Sequence, residues 1–350
     1  MKGIKSLTRL ACSLVSFALL LGTGSALAQF AGPMPLTLIN GWTNNTAYST
    51  SIATVEEVAG IVQFRGAIAS GTTAEPFTLP AWLTPATEVY IPINLCNAAN
   101  GRLDIYTNGT VSIETQGAFS DAQCLTSLDG ASFALNSTGF KGLTLINGWT
   151  NAPFGTSDAE VRNINGIVHF KGAIATTGTN SKPFVLPSGF RPVHDVYVPV
   201  DLCDASNGRL YIQHTGVVNV EAEGGTFSNA QCFTSLDGAW FVVKDTGYTA
   251  LKLINGWTNG PLSTNVAKAG NAYGIVYFQG AIATAGTNTQ PFVLPPSLSP
   301  VTNVYIPVDL CDATKGQLFI QVNGFVTVQA ETVFSNAQCF TSLDGVSYVQ

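Results

Sequence analysis

Six of the seven cysteines fall in pairs at repeating places: Cys96 with Cys124, Cys203 with Cys232, and Cys311 with Cys339. Their flanks repeat too, as Leu-Cys-Asn/Asp-Ala and as Ala-Gln-Cys. A zinc site would want CxxC spacing with accompanying histidines, and these pairs have neither. The threefold recurrence favours one disulfide inside each copy, Cys96–Cys124, Cys203–Cys232 and Cys311–Cys339. Bonds between neighbouring copies, which a closed ring of three could satisfy, are the alternative. Closing a loop of this size is worth about 3–4 kcal/mol in the chain-entropy view. Disulfides also imply an oxidising compartment.

Other reactive side chains are sparse. The three histidines, His169, His194 and His214, all lie in one copy, where their counterparts are Gln63 and Tyr277, Thr87 and Thr302, and Thr107 and Val322. A Ser-His-Asp arrangement therefore cannot recur in every copy. Asp129, Asp237 and Asp344 do recur, each before a glycine, where aspartate makes a turn. Asp201 with Asp204, and Asp309 with Asp312, offer oxygen ligands of the kind calcium takes. They become Asn94 and Asn97 in the first copy, and no full ligand pattern accompanies them. Paired glycosidase acids need two carboxylates at matching positions, and no such pair recurs in all three copies. The expectation is no enzyme, no metal and no cofactor.

Trp42, Trp149 and Trp257 recur with Asn44, Asn151 and Asn259 in a Leu-Ile-Asn-Gly-Trp-Thr-Asn heptad. The tryptophans suit a core anchor on an early strand. Exposed, they would form stacking faces for sugars, so these six residues are the candidate ligand-binding set.

The elements that must position these residues come from an internal repeat of about 107 residues, the size of a whole domain. Gly60–Ile68 returns at 166–174 and 274–282, Pro76–Pro80 at 183–187 and 291–295, and Thr-Ser-Leu-Asp-Gly at 126–130, 234–238 and 341–345. The repeats are placed at 36–138, 141–247 and 249–350, after a short tail at 29–35. The joints are short, which predicts copies that pack on one another. Within a copy, stretches such as Arg102–Tyr106 and Val111–Glu114 alternate, with the turn former Asn108-Gly109 between them. Only 10% of residues are charged, and 35 glycines and 17 prolines punctuate the chain. These features predict an all-β protein of three tandem β-sandwich or jelly-roll-like domains with seven or eight short strands each.

Lys2, Lys5 and Arg9, the apolar run that follows, and Ala26-Leu27-Ala28 read as a secretory signal peptide over residues 1–28. Without it the chain carries 12 Lys+Arg against 21 Asp+Glu, a formal charge of −9. That balance disfavours nucleic acid and anionic membranes. No later segment is apolar enough to span a bilayer as a helix. The expected location is secreted or extracellular, with the periplasm as the alternative.

Each copy resembles the C-terminal head, or receptor-binding, domain of bacteriophage tail-fibre and baseplate proteins. The likeness rests on the early Trp, the Gly-Ile-Val-x-Phe-x-Gly-Ala-Ile strand, a Leu-Pro step, Gly189–Pro192, Gly-x-Leu-x-Ile, a Gly-x-Val strand and the closing Ser-Leu-Asp-Gly-x-x-Phe. It covers nearly all of the chain after residue 28. Such heads trimerise and bind cell-surface glycans or proteins. The resemblance thus implies a surface-binding module, here with three copies in one polypeptide arranged as an intramolecular pseudo-trimer. Two departures stand out: the signal peptide and the cysteines. Together these readings predict a secreted, non-catalytic adhesin or lectin-like protein presenting three equivalent sites to a glycan or protein partner. A structural surface component without a small ligand is the alternative.

Overall fold

The computed structural model describes residues 32–244 and 246–350. The expected signal peptide and the first residues of the tail lie outside the described residues. As the alternating segments predict, the chain is all-β. The first repeat runs β1 (Met34–Pro35), β2 (Thr43–Asn44), β3 (Thr54–Val58), β4 (Ile61–Arg65), β5 (Ala67–Ala69), β6 (Phe77–Thr78), β7 (Val89–Leu95), β8 (Asn100–Ile105) and β9 (Thr110–Thr115). A short helix, α1 (Phe119–Cys124), and strands β10 (Thr126–Ser127) and β11 (Ser132–Ala134) close it. Two sheets face each other, one ordered β1-β3-β4-β11 and the other β2-β5-β10-β7-β8-β9-β6. The other repeats follow the same plan. The helix was not anticipated, and it recurs at Phe227–Cys232 and Phe334–Cys339.

Glycine and aspartate together make the chain change sheets. Between β4 and β5, Gly66 has φ +93, and a Cβ there would lie 2.4 Å from the Ile52 carbonyl. Only glycine tolerates both conditions. The freed Gly66 N–H donates to Asp129 Oδ1 at 2.9 Å, as Gly172 does to Asp237 and Gly280 to Asp344. The recurrent Asp-Gly is therefore a turn, as expected, and also the staple that holds the sheet crossing.

Strand β7 is buried at every residue. Val89, Ile91, Ile93 and Leu95 enter the core of their own repeat, because side chains alternate across a strand. The opposite face, beginning with Tyr90, is covered by other repeats. Strands β7, Val196–Asp201 and Val304–Asp309 all touch one another. Tyr90 packs with Ala173 and Phe233 of the second repeat, Tyr197 with Ala281 and Phe340 of the third, and Tyr305 with Ala67 and Leu125 of the first. The contacts thus run in a closed cycle, and the described residues form one unit with three cores. A further apolar cluster draws on all three repeats through Val58, Ile167, Trp240, Val242, Ile275 and Tyr277.

Thr-Ser-Leu-Asp-Gly is the segment that makes each seam. Ser235 Oγ donates to the Tyr90 carbonyl and Ser342 Oγ to that of Tyr197, both at 2.6 Å. A Cβ on Gly130, Gly238 or Gly345 would come within 2.9, 2.9 and 3.0 Å of Ile306, Ile91 and Val198 of a neighbouring repeat.

The polar part of the seams differs around the cycle. Arg102 reaches Asp201 at 3.2 Å, and Arg209 reaches Asp309 at 3.0 Å. Each guanidinium also holds a carboxylate of its own repeat, Glu114 or Glu221. At the third seam amides replace all three members of that cluster, with Asn94 donating to Gln317 and Gln317 to Gln329, and the buried Lys315 ammonium reaches across the same seam to the Ile93 carbonyl and Asn100 Oδ1. Such joint replacement has a physical cause. A buried ion pair exchanged whole is often neutral, whereas losing one partner strands a charge and costs about 3–5 kcal/mol.

The amide cluster of the third seam supplies the design of a test. Arg209→Gln alone should lower unfolding stability by about 3 kcal/mol. The triple variant R209Q/D309N/E221Q, which copies the third seam, should recover to within about 1 kcal/mol of the parent. Urea denaturation reads both, and a triple variant no better than the single would refute this account of the seams.

Candidate ligand-binding grooves

The disulfides join Cys96 to Cys124, Cys203 to Cys232 and Cys311 to Cys339, with Cα atoms 5.7, 5.8 and 5.8 Å apart. Each stays within one repeat, so the alternative of bonds between copies is excluded. Each ties the short turn after the inner strand to the six-residue helix. Gln123, Gln231 and Gln338 on those helices donate to the carbonyls of Gly71, Gly178 and Gly286, which orders the facing loops.

The three recurrent tryptophans are not a ligand platform. Trp42, Trp149 and Trp257 are 4%, 5% and 5% exposed. Their indole N–H groups donate to the carbonyls of Thr73, Asn180 and Asn288 at 2.8 Å, which satisfies the one polar atom that burial would otherwise strand. Asn44, Asn151 and Asn259 are exposed, but each Oδ1 accepts the backbone N–H of a residue eight or nine positions on, Ala53, Ala159 and Ala267. The heptad is structural: its Asn-Gly turn lies in the left-handed region, and its Trp fills the core.

What stands in front of each tryptophan is a phenylalanine. Phe119, Phe227 and Phe334 open the short helices and meet Trp42, Trp149 and Trp257 edge-on, with centroids 6.2, 6.3 and 6.3 Å apart. These rings are half-buried. Two of them sit in grooves between repeats. One groove, of about 560 Å³, lies between the second and third repeats, lined by Ser181, Arg209, Glu221 and Phe227 with Asp312 from across the seam. The other, of about 570 Å³, lies between the third and first, lined by Thr289, Gln329, Glu331 and Phe334 with Asn97 from across the seam. Ser181, Glu221, Phe227 and Asp312 of one correspond to Thr289, Gln329, Phe334 and Asn97 of the other, so the groove recurs. The seam between the first and second repeats has a smaller cavity, about 150 Å³, around Arg102 and Asp204 with Tyr90, Phe154 and Phe233. No single signal in the sequence marks these phenylalanines, because the groove takes its two walls from different repeats.

One feature of the grooves is strained. Asn97-Ala98, Asp204-Ala205 and Asp312-Ala313 have φ between +51 and +61. Asn and Asp tolerate that region, but alanine pays about 1–2 kcal/mol. The neighbouring repeat helps hold the turn: Asn100 Nδ2 donates to the Ala205 carbonyl and Asn207 Nδ2 to that of Ala313, both at 2.7 Å. Strain that the surroundings maintain is characteristic of functional loops.

The calcium pairing dissolves in three dimensions. Asp201 and Asp309 are fully buried against Arg102 and Arg209, whereas Asp204 and Asp312 lie on the groove side, and Asp204 is exposed. Among the described residues no group of three or more His, Cys, Asp or Glu is placed to hold a metal. The histidines are dispersed in role. His169 is buried, and burial lowers its pKa to about 3. The His214 side chain is 61% exposed and contacts Asp195, which also accepts from Tyr211. No helix among the described residues is long and apolar enough to cross a membrane. The chain matches no family model, and neither a curated protein nor a solved structure matches it.

Buried carboxyls at the seams, Asp309 (raised to about 7) among them, make stability depend on pH. Burial raises Asp129, Asp237 and Asp344 to about 7, 7 and 8, opposed by the N–H bonds from Gly66, Gly172 and Gly280 and, at the first two, by Arg65 and Lys171. The Oδ2 atom of each has no hydrogen-bond partner. A folded-state pKa above the unfolded one means stability that is full at low pH and lost as pH rises through the folded value. His169 opposes this below pH about 6.5, where its unfolded form protonates. Lys315, lowered to about 8 by burial, opposes it mainly above that value. The melting temperature should therefore rise on going from pH about 8 to about 6.5, and D129N/D237N/D344N should flatten the slope. A parent protein that melts higher at the alkaline end would contradict the assignment.

Proposed function

We propose that this chain is an extracellular, non-catalytic binding protein, adhesin or lectin-like, whose ligand sites are the grooves between repeats. The single observation that carries the reading is the recurrence of one groove at two seams, each with a half-buried phenylalanine, a ring of polar side chains and a strained turn. Clefts of several hundred Å³ with an apolar floor and few polar groups are the usual form of a ligand site. The likeness of each repeat to phage receptor-binding heads points the same way, with one chain taking the place of a homotrimer. The disulfides favour an oxidising compartment, in keeping with secretion. Supporting a binding role over catalysis, the recurrent carboxyls and amides are committed to sheet crossings, seams and turns.

Several grooves on one rigid body would act by multivalency, raising avidity above single-site affinity when they engage together. The direct test is a glycan-array screen with the oxidised chain from residue 29 onward, repeated with the double variant F227A/F334A. Array signal that drops at least about tenfold in the variant, with its melting unchanged to within a few degrees, is the expected result. A signal that survives intact would move the site out of the grooves. No signal on any glycan would leave a protein partner or a structural surface role as the better description.

A further inference from the structure

We propose that the groove between the third and first repeats takes an uncharged oligosaccharide, a ligand class different from that of its counterpart between the second and third. The proposal rests on the reading of the grooves as ligand sites. It arises from comparing equivalent wall positions. Glu221 is replaced by Gln329 and Asp312 by Asn97, while Arg209, which lines the charged groove, has as its counterpart Gln317, which does not reach the other groove's wall. Ser181 becomes Thr289, and Phe227 remains aromatic as Phe334.

The seam explains part of this change. Gln317 and Asn94 must lose their charges together, and Gln329 bonds to Gln317. The seam does not explain Asn97. That residue is exposed, and its φ of +58 is shared by Asp204 (+58) and Asp312 (+56), so the backbone accepts either side chain. An exposed wall position has thus turned neutral together with the buried ones, where packing made no demand. The carboxylate that still lines this groove, Glu331, is turned to structure: its Oε1 accepts the Asn100 N–H at 3.3 Å, and the buried Lys315 ammonium lies close by.

The resulting surface matches sugar chemistry. Amides and hydroxyls from Asn97, Gln329, Thr287 and Thr289 both donate and accept, as sugar hydroxyls do. Phe334 offers a flat apolar face backed by Trp257. A neutral ligand covering the charged groove would have to desolvate the Glu221 and Asp312 carboxylates, which is costly. The same ligand in the neutral groove strands no charge.

The test is titration calorimetry of the oxidised chain from residue 29 onward with neutral hexose and N-acetylhexosamine oligosaccharides at millimolar concentration, with uronic-acid oligosaccharides in parallel. Expected is one neutral-sugar site per chain. Asn97→Asp and Gln329→Glu should each weaken it about tenfold, as should Phe334→Ala, while Phe227→Ala changes it less than about twofold. Asn97→Asp puts at an exposed position the residue that the equivalent turns already carry at Asp204 and Asp312, so the fold is preserved even if Phe334→Ala or Gln329→Glu disturbs it. Equal losses from F227A and F334A would leave the grooves as sites but overturn the difference between them. Neutral binding indifferent to all four variants would overturn both readings. Absence of neutral binding, or preference of this groove for the uronic acids, would overturn the proposal itself.

Discussion

The structure depends on one strand per repeat being buried on both faces. In β7 one set of side chains, Val89, Ile91, Ile93 and Leu95, completes the repeat's own core. The other face, with Tyr90 and Asn94, would be an apolar and amide-bearing surface in water if the repeat stood alone. Covering it requires another repeat, whose inner strand has the same need. Three such strands touching in a cycle cover all three outer faces, which is why the described residues are one body rather than beads on a string.

Having the repeats in one chain changes what a seam can be. Identical subunits must repeat every contact, including each buried charge. Here the second and third repeats can differ from the first. Two seams carry Arg–Asp–Glu clusters and the third carries amides, and Lys315 stands where the other repeats have Asn100 and Asn207. The buried ammonium donates to the Ile93 carbonyl and Asn100 Oδ1, two acceptors from another repeat. Each seam is thus chemically distinct while its geometry is preserved. Grooves that open along those seams inherit the distinction, because their walls are the outer ends of the same residues.

The groove architecture also accounts for the strained turns. A loop held by a disulfide on one side and by a neighbour's Asn on the other can be kept in a left-handed conformation that alanine would leave if free. Asp204 and Asp312 thereby present short polar side chains outward at the seam. Phe227 and Phe334 are fixed against buried tryptophans, so their rings have little freedom to lose on binding.

Local pattern settled much of this protein in advance. The 107-residue period, the alternating segments, the Asn108-Gly109 turn and the paired cysteines fixed all-β repeats with one disulfide each. They could do so because pleat alternation, turn chemistry and recurrence act over short stretches of chain. The tertiary structure alone decided which faces are covered. Trp42, Trp149 and Trp257 proved to be core, and the rings before them the surface, because burial depends on segments some 30 residues away, such as Thr73 and Asn180. Asp-Gly became a seam and a staple because Gly66 and Ile306 reach it from distant parts of the chain. The grooves were invisible for the same reason: each takes its walls from two repeats, and only their packing brings Asn97 to Phe334.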